Sequence, residues 1–195
     1  FSVFDGVEKL VSVNVPDEAT AFERMTQSKG DVSSLNAAVG PDTIAKYLLT
    51  SGSTSHPKGV LTTQAMMCTN QAQLKAILPF LADHPPILLD WLPWNHVFGG
   101  SHNFNLVLSN GGSLYIDNGK PVPALAQHTM DNLRMVSPTI AFNVPVGFAM
   151  LRDAMREDTA LRQQYFQNLD MLFYAGASLP QDVWADLEDM AREVR

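Results

Sequence analysis

At 195 residues, with 46% apolar and 17% charged residues, the chain has the composition of a globular domain with its own core. A net charge of −7 leaves no basic face to displace counterions, which argues against a nucleic-acid backbone as partner. The single cysteine, Cys68, excludes an internal disulfide and fits a reducing cytosol, and no apolar run reaches the roughly 18 residues that span a bilayer.

In chain order, residues 17–30 are expected to hold one amphipathic helix with Phe22 and Met25 inward, followed by a polar loop through Pro41. From Ile44 onward, short apolar runs alternate with helical patterns. Strands are expected over 44–49, 87–92, 113–116, 140–144 and 171–174, and helices over 63–81, 103–109, 122–135, 146–157 and 182–194. Continuous apolar strands separated by helices imply a doubly wound α/β fold, with a mostly parallel sheet covered by helices on both faces. Ligands of such a fold bind beyond the carboxyl ends of its strands. Cys68 and the methionines Met130, Met135, Met150, Met155 and Met190 are expected as core filler. The acid clusters at 157–158 and 186–189 read as solvated helix faces or ends.

The first strand ends in the densest motif, Thr50, Ser51, Gly52, Ser53, Thr54, Ser55, His56, Pro57, Lys58, Gly59. Small hydroxylated residues let backbone N–H and side-chain O–H groups converge on an anion, and Gly52 lacks the Cβ that would block close approach. Pro57 stiffens the exit, and Lys58 adds a mobile positive charge. Such a loop suits a polyphosphate. A plain turn between a strand and a helix is the competing reading. A P-loop kinase is opposed by Gly59, because that motif needs Ser or Thr directly after its lysine.

A second motif follows the next strand, Asp90-Trp91-Leu92-Pro93-Trp94-Asn95-His96-Val97-Phe98-Gly99-Gly100. A neutral imidazole at His96 can donate to a carboxylate oxygen; a core histidine packed between tryptophans is the alternative. His84, His96 and His102 have no spacing that would gather a metal. The third motif, Phe173-Tyr174-Ala175-Gly176-Ala177-Ser178-Leu179-Pro180, follows the last strand. Three loops on one sheet edge can converge on one cleft.

These three segments, in this order, resemble the phosphate loop, the Leu-Pro-x-x-His-x-x-Gly segment and the Gly-Ala segment of the adenylate-forming superfamily of acyl-CoA and aryl-CoA synthetases, luciferases and peptide-synthetase adenylation domains. Ser55 stands where that family usually has glycine, Ala175 replaces a common serine, and Leu179-Pro180 reverses a common order. The longer string Trp-Leu-Pro-Trp-Asn-His-x-Phe-Gly-Gly is similar to bacterial feruloyl-CoA synthases.

The resemblance implies that an acid attacks the α-phosphate of ATP, and that the resulting acyl-adenylate then passes to the thiol of coenzyme A. It implies that Thr50, Ser51, Gly52, Ser53, Thr54, Ser55 and Lys58 hold the phosphates, with Thr54 near Mg²⁺. His96 would orient the carboxylate. Gly176, Ala177 and Ser178 would shape the adenine and acyl surfaces, and Phe98, Gly99 and His102 would line the substrate pocket. A hydroxycinnamic acid would fit a cleft bordered by Phe98, Phe104 and Trp94. A medium- or long-chain fatty acid, or a nucleotide-binding module without catalysis, are the alternatives. Residues 1–41 would belong to an adjoining subdomain and 42–195 to the AMP-binding subdomain. Both ends read as cut, so the chain is read as a cytoplasmic enzyme's excerpt that lacks a C-terminal lid domain and is inactive alone.

Overall fold

The structure is a computed structural model that describes residues 10, 11, 14, 19–27, 29–50 and 58–195. Its contacts divide the chain into two units, 1–40 and 41–195. In the first, strand β1 (Leu10–Val11) pairs in parallel with β2 (Thr20–Ala21). Helix α1 spans only Phe22–Thr26 and α2 spans Ser33–Ala37. The expected longer helix is therefore a correction: Phe22 and Met25 are both exposed. The polar loop expected after it contains α2 as well.

The second unit opens with β3 (Ile44–Thr50), paired antiparallel with β4 (Lys58–Thr63). The strand expected at 44–49 therefore pairs antiparallel rather than within the parallel layer, and a second strand, not expected, stands between the loop motif and the helix expected from residue 63. Val60, Thr62 and Thr63 are β-branched and suit a strand, a signal hidden by the motif that overlaps it. Helix α3 (Gln64–Ile77) then starts where the Thr63 hydroxyl accepts the Met66 N–H at 3.3 Å. It gives way at Leu78 to a short 3₁₀ turn, Pro79–Ala82, because proline cannot continue an α-helix.

The remaining strands are parallel. Strand β5 (Ile87–Asp90) pairs with β6 (Ser113–Ile116), and β7 (Ile140–Asn143) pairs with β8 (Met171–Tyr174). Thr139 beside the start of β7 donates its N–H to Ile87 at 3.0 Å, while Trp91 beyond the end of β5 reaches Asn143 at 3.2 Å. The two pairs therefore lie side by side and point the same way, in the order β6–β5–β7–β8.

Residue alternation sends successive side chains of this layer to two cores. Leu88, Ile140 and Phe142 face α3 and α4 (Phe104–Ser109), where Leu74, Leu106 and Val107 are buried. Leu89, Ala141, Leu172 and Tyr174 face the other core. That core is built by α5 (Ala126–Met135), α6 (Pro145–Glu157), α7 (Thr159–Phe166) and α8 (Gln181–Val194). Val183, Leu187 and Met190 supply α8's buried stripe. Helix α7 was missed by the sequence reading, although its start is marked by Asp158, whose carboxylate accepts the Leu161 N–H at 2.9 Å.

Helices on both faces of a parallel layer make this the doubly wound α/β fold expected. Three side chains depart from the core assignment: Cys68 and Met135 are exposed, because each lies on the solvent face of its helix, and Met150 is only partly covered. The acids at 186–189 are not merely solvated either. Asp186 accepts from Arg152 at 2.9 Å and from Arg156 at 2.6 Å, tying α6 to α8.

Candidate functional site

At the carboxyl end of β5 the backbone is stopped by its own side chain. Asp90 Oδ1 accepts the Leu92 N–H at 2.9 Å, a local turn that competes with continuing the strand. The chain then runs through Pro93 and His96 into a π-helical segment, Phe98–Asn103, before α4 begins. π-Helical turns are rare and gather at functional sites. Gly100 permits this one: a Cβ there would lie 1.9 Å from the Trp94 carbonyl oxygen. The segment also leaves the Gly100 carbonyl open to accept from Lys46 Nζ on β3, which stands 3.2 Å from Ser101 Oγ as well. Burial holds the Lys46 ammonium below its ordinary pKa.

The turn after β8 is fixed from the neighbouring strand, because Ala175 donates its N–H to the Asn143 carbonyl at 3.3 Å. Gly176 follows with φ at 95°, a left-handed value that a side chain would strain. Asn143 is buried; its Oδ1 accepts from Trp91 Nε1 at 3.2 Å and from Val144 N–H at 2.8 Å.

Between these elements lies an apolar cleft of about 830 Å³. Met66, Met67 and Asn70 of α3, Thr62 of β4 and Trp91 form part of its wall. His96, Phe98, Ser101 and His102 supply the rest with Phe173, Ala175 and Gly176. Phe98, His102, Phe142 and Phe173 form an aromatic cluster, in which His102 stacks on Phe173 at 5.8 Å and meets Phe142 edge-on at 5.0 Å. Such a slot suits a flat apolar body.

The structure thus gathers His96, Phe98, His102 and Gly176 from the residues singled out in the sequence. Gly99 is buried against the Leu92 carbonyl rather than exposed to the cleft. Ala177 and Ser178 are exposed beyond its lining. Trp94 and Phe104, expected at its border, pack on each other at 5.1 Å and do not line it, because each ring is taken up by the other. Ser51, Gly52, Ser53, Thr54 and Ser55 lie outside the described residues. Their flanks are described: Thr50, the last residue of β3, and Lys58, the first of β4, are cross-strand partners at the loop end of the hairpin, with Lys58 exposed. Among the described residues no group of three His, Cys, Asp or Glu side chains could hold a metal ion.

Two polar groups behind the cleft escaped the sequence reading. Asn103 is fully buried and donates from Nδ2 to Asp90 Oδ2 at 2.8 Å. Burial pushes the Asp90 carboxyl above its ordinary value, against the lowering effect of the hydrogen bonds from Asn103 and Leu92. A polar residue closing an apolar strand was the available signal for Asp90. Asn103 had none, since only the π-helical geometry turns it inward.

Comparison with known proteins agrees with this architecture. A sequence profile for the family described as AMP-binding enzyme matches residues 4–194. No curated protein sequence matches. Among solved structures, a malonyl-CoA ligase in a ternary product complex with methylmalonyl-CoA and AMP superposes with a TM-score of 0.65 at 20% identity, over 78% of this chain and 32% of its own. The adenylation domain of a keto acid-selecting peptide-synthetase module bound to a keto acyl adenylate gives 0.65 at 18% identity, over 79% of this chain and 27% of its own. The anthranilate CoA ligase AuaEII with anthranoyl-AMP gives 0.60 at 18% identity, over 78% and 28%. The chain spans about a third or less of the length of these proteins. Among the described residues no helix is long and apolar enough to cross a membrane.

Proposed function

Because this chain belongs to the AMP-binding enzyme family, we propose that its cleft is the acid-binding part of an ATP-dependent carboxylic acid–CoA ligase. The observation that carries this reading is the convergence of the His96 loop, the Gly176 turn and β4 of the hairpin on one apolar cleft. The cleft lies at the carboxyl ends of β5 and β8, where an open α/β sheet binds its ligands.

In the first step a carboxylate oxygen bonds to the α-phosphorus of ATP, the bond to the bridging oxygen breaks, and pyrophosphate leaves. A thiolate of coenzyme A then bonds to the acyl carbon and AMP leaves. The protein's part is positioning and charge stabilisation. His96 Nδ1 accepts the Phe98 N–H at 3.2 Å, so the neutral ring carries its proton on Nε2 and offers a donor to the carboxylate at the cleft mouth. Lys58 would neutralise departing pyrophosphate, with Thr50, Ser51, Gly52, Ser53, Thr54 and Ser55 cradling its oxygens. Mg²⁺, when bound, would add charge neutralisation beside Thr54. Gly176, with Ala177 and Ser178, would border the adenylate.

The acid is proposed to be a hydroxycinnamic, feruloyl-type one, supported by the aromatic walls at Phe98, His102 and Phe173. The test is acid-dependent ATP–pyrophosphate exchange by the intact protein across ferulate, coumarate, benzoate and fatty acids. Exchange strongest with fatty acids would replace the aromatic assignment, and nucleotide binding without exchange would leave a non-catalytic module. The 195-residue chain alone is expected to give no exchange, because catalysis is proposed to need the remainder of the protein, including a lid domain.

A further inference from the structure

The two histidines of the cleft are held in opposite tautomers. His96 accepts at Nδ1 and therefore donates from Nε2. At His102 the pattern reverses. Its Nδ1 lies 2.8 Å from Asn103 Oδ1. Which atom donates is settled one bond further on, where the buried Asp90 carboxylate can only accept. Both its oxygens are used: Oδ1 by the Leu92 N–H and Oδ2 by an Asn103 group 2.8 Å away. Asn103 must therefore turn its NH₂ to Asp90 and its oxygen to His102, whose Nδ1 must carry a proton. The lone pair is left on Nε2, which has no hydrogen-bonding partner among the described residues. Asn103 and Asp90 are both buried, so water does not compete for these bonds, and the ring is clamped by Phe98, Phe142 and Phe173.

We propose that His102, oriented by Asn103 and Asp90, is the specificity-determining acceptor of the cleft and selects acids carrying a hydrogen-bond-donating hydroxyl on a flat apolar body. The inference rests on the acid activation proposed above. It adds that the cleft reads both ends of its substrate: a donor at His96 meets the carboxylate, and an acceptor at His102 meets the hydroxyl. Fatty acids and unsubstituted aryl acids leave that acceptor unmatched, and an unmade hydrogen bond in an apolar slot is what discriminates.

The test compares 4-hydroxycinnamate, cinnamate and 4-methoxycinnamate in ATP–pyrophosphate exchange by the intact protein. The wild type is expected to favour the hydroxylated acid over cinnamate by about tenfold in kcat/KM. His102→Phe keeps a ring of similar size and removes the acceptor, so the preference should fall to about twofold or less. Asp90→Asn is isosteric. It reverses the Asn103 amide, moves the His102 proton to Nε2, and should shift preference from the hydroxylated to the methoxylated acid. Nitrogen-15 spectra of the histidines give a readout apart from activity: Nδ1–H for His102 and Nε2–H for His96. A preference that survives His102→Phe, a wild type without preference, or Nε2–H at His102 would each overturn the proposal. Absence of exchange with every acid would instead overturn acid activation itself, and this inference with it.

Discussion

The parallel layer and the β3–β4 hairpin both contribute to the candidate site and are stabilised in different ways. In the layer, Leu88 and Ile140 are each 1% exposed, with helices over both faces. In the hairpin, Tyr47 is 71% and Leu49 72% exposed, and Val60 and Leu61 are also uncovered. The hairpin relies on its ladder, on Gln64 and Ala65 donating back to Thr43 and Pro41, and on Lys46 reaching the π-helical turn. One side of the cleft is therefore held by burial, and the side leading to the hydroxyl-rich loop by a few polar ties.

Substitutions can break that contrast. Leu88→Ala should cost about 3–5 kcal/mol in chemical denaturation, whereas Leu49→Ala should stay within about 0.5 kcal/mol. Similar costs at both positions would remove the distinction. Gly100→Ala forces a Cβ into the Trp94 carbonyl and should cost about 2–3 kcal/mol while lowering acid-dependent exchange, since the π-helical turn must shift. Lys46→Met severs the link between hairpin and turn; a loss of about 1–2 kcal/mol in the same assay is expected.

The pH dependence sharpens the layer side. The Asp90 carboxyl is raised from 3.8 by burial first of all, with Asp117 adding to the rise and His102 opposing it. Between 3.8 and its raised native value, the folded state binds more proton than the unfolded chain. Stability should thus fall as pH rises through that window, and Asp90→Asn should lack this component in parallel denaturation curves. The smallest effect belongs to the hairpin. A Cβ on Gly59 meets nothing within 4 Å among the described residues, so Gly59→Ala should change stability by less than about 0.5 kcal/mol.

Much of the fold was legible because its signals are local. Apolar runs at 87–90, 113–116, 140–143 and 171–174 and the 3.6-residue stripe of α8 state which residues demand burial, whatever covers them. Turn chemistry marked the loops, and the order of three motifs marked the family. The hairpin was not legible, because an apolar run at Ile44–Thr50 fits either strand direction and its partner β4 is embedded in the loop motif. Nor were the outward turns of Met25, Cys68, Met135 and Trp94, since period alone does not say which side a neighbour occupies.

The sequence by itself determined the covered parallel layer, the loops at its carboxyl ends and the presence of His96, Phe98, His102 and Gly176 there. Only the tertiary structure decided that Asp90, Asn103 and His102 form one hydrogen-bonded chain and that His96 accepts the Phe98 N–H at the same cleft. The reason is physical. Burial preference is written into each residue and its period, but a hydrogen bond's direction depends on a partner that the folded backbone brings into reach.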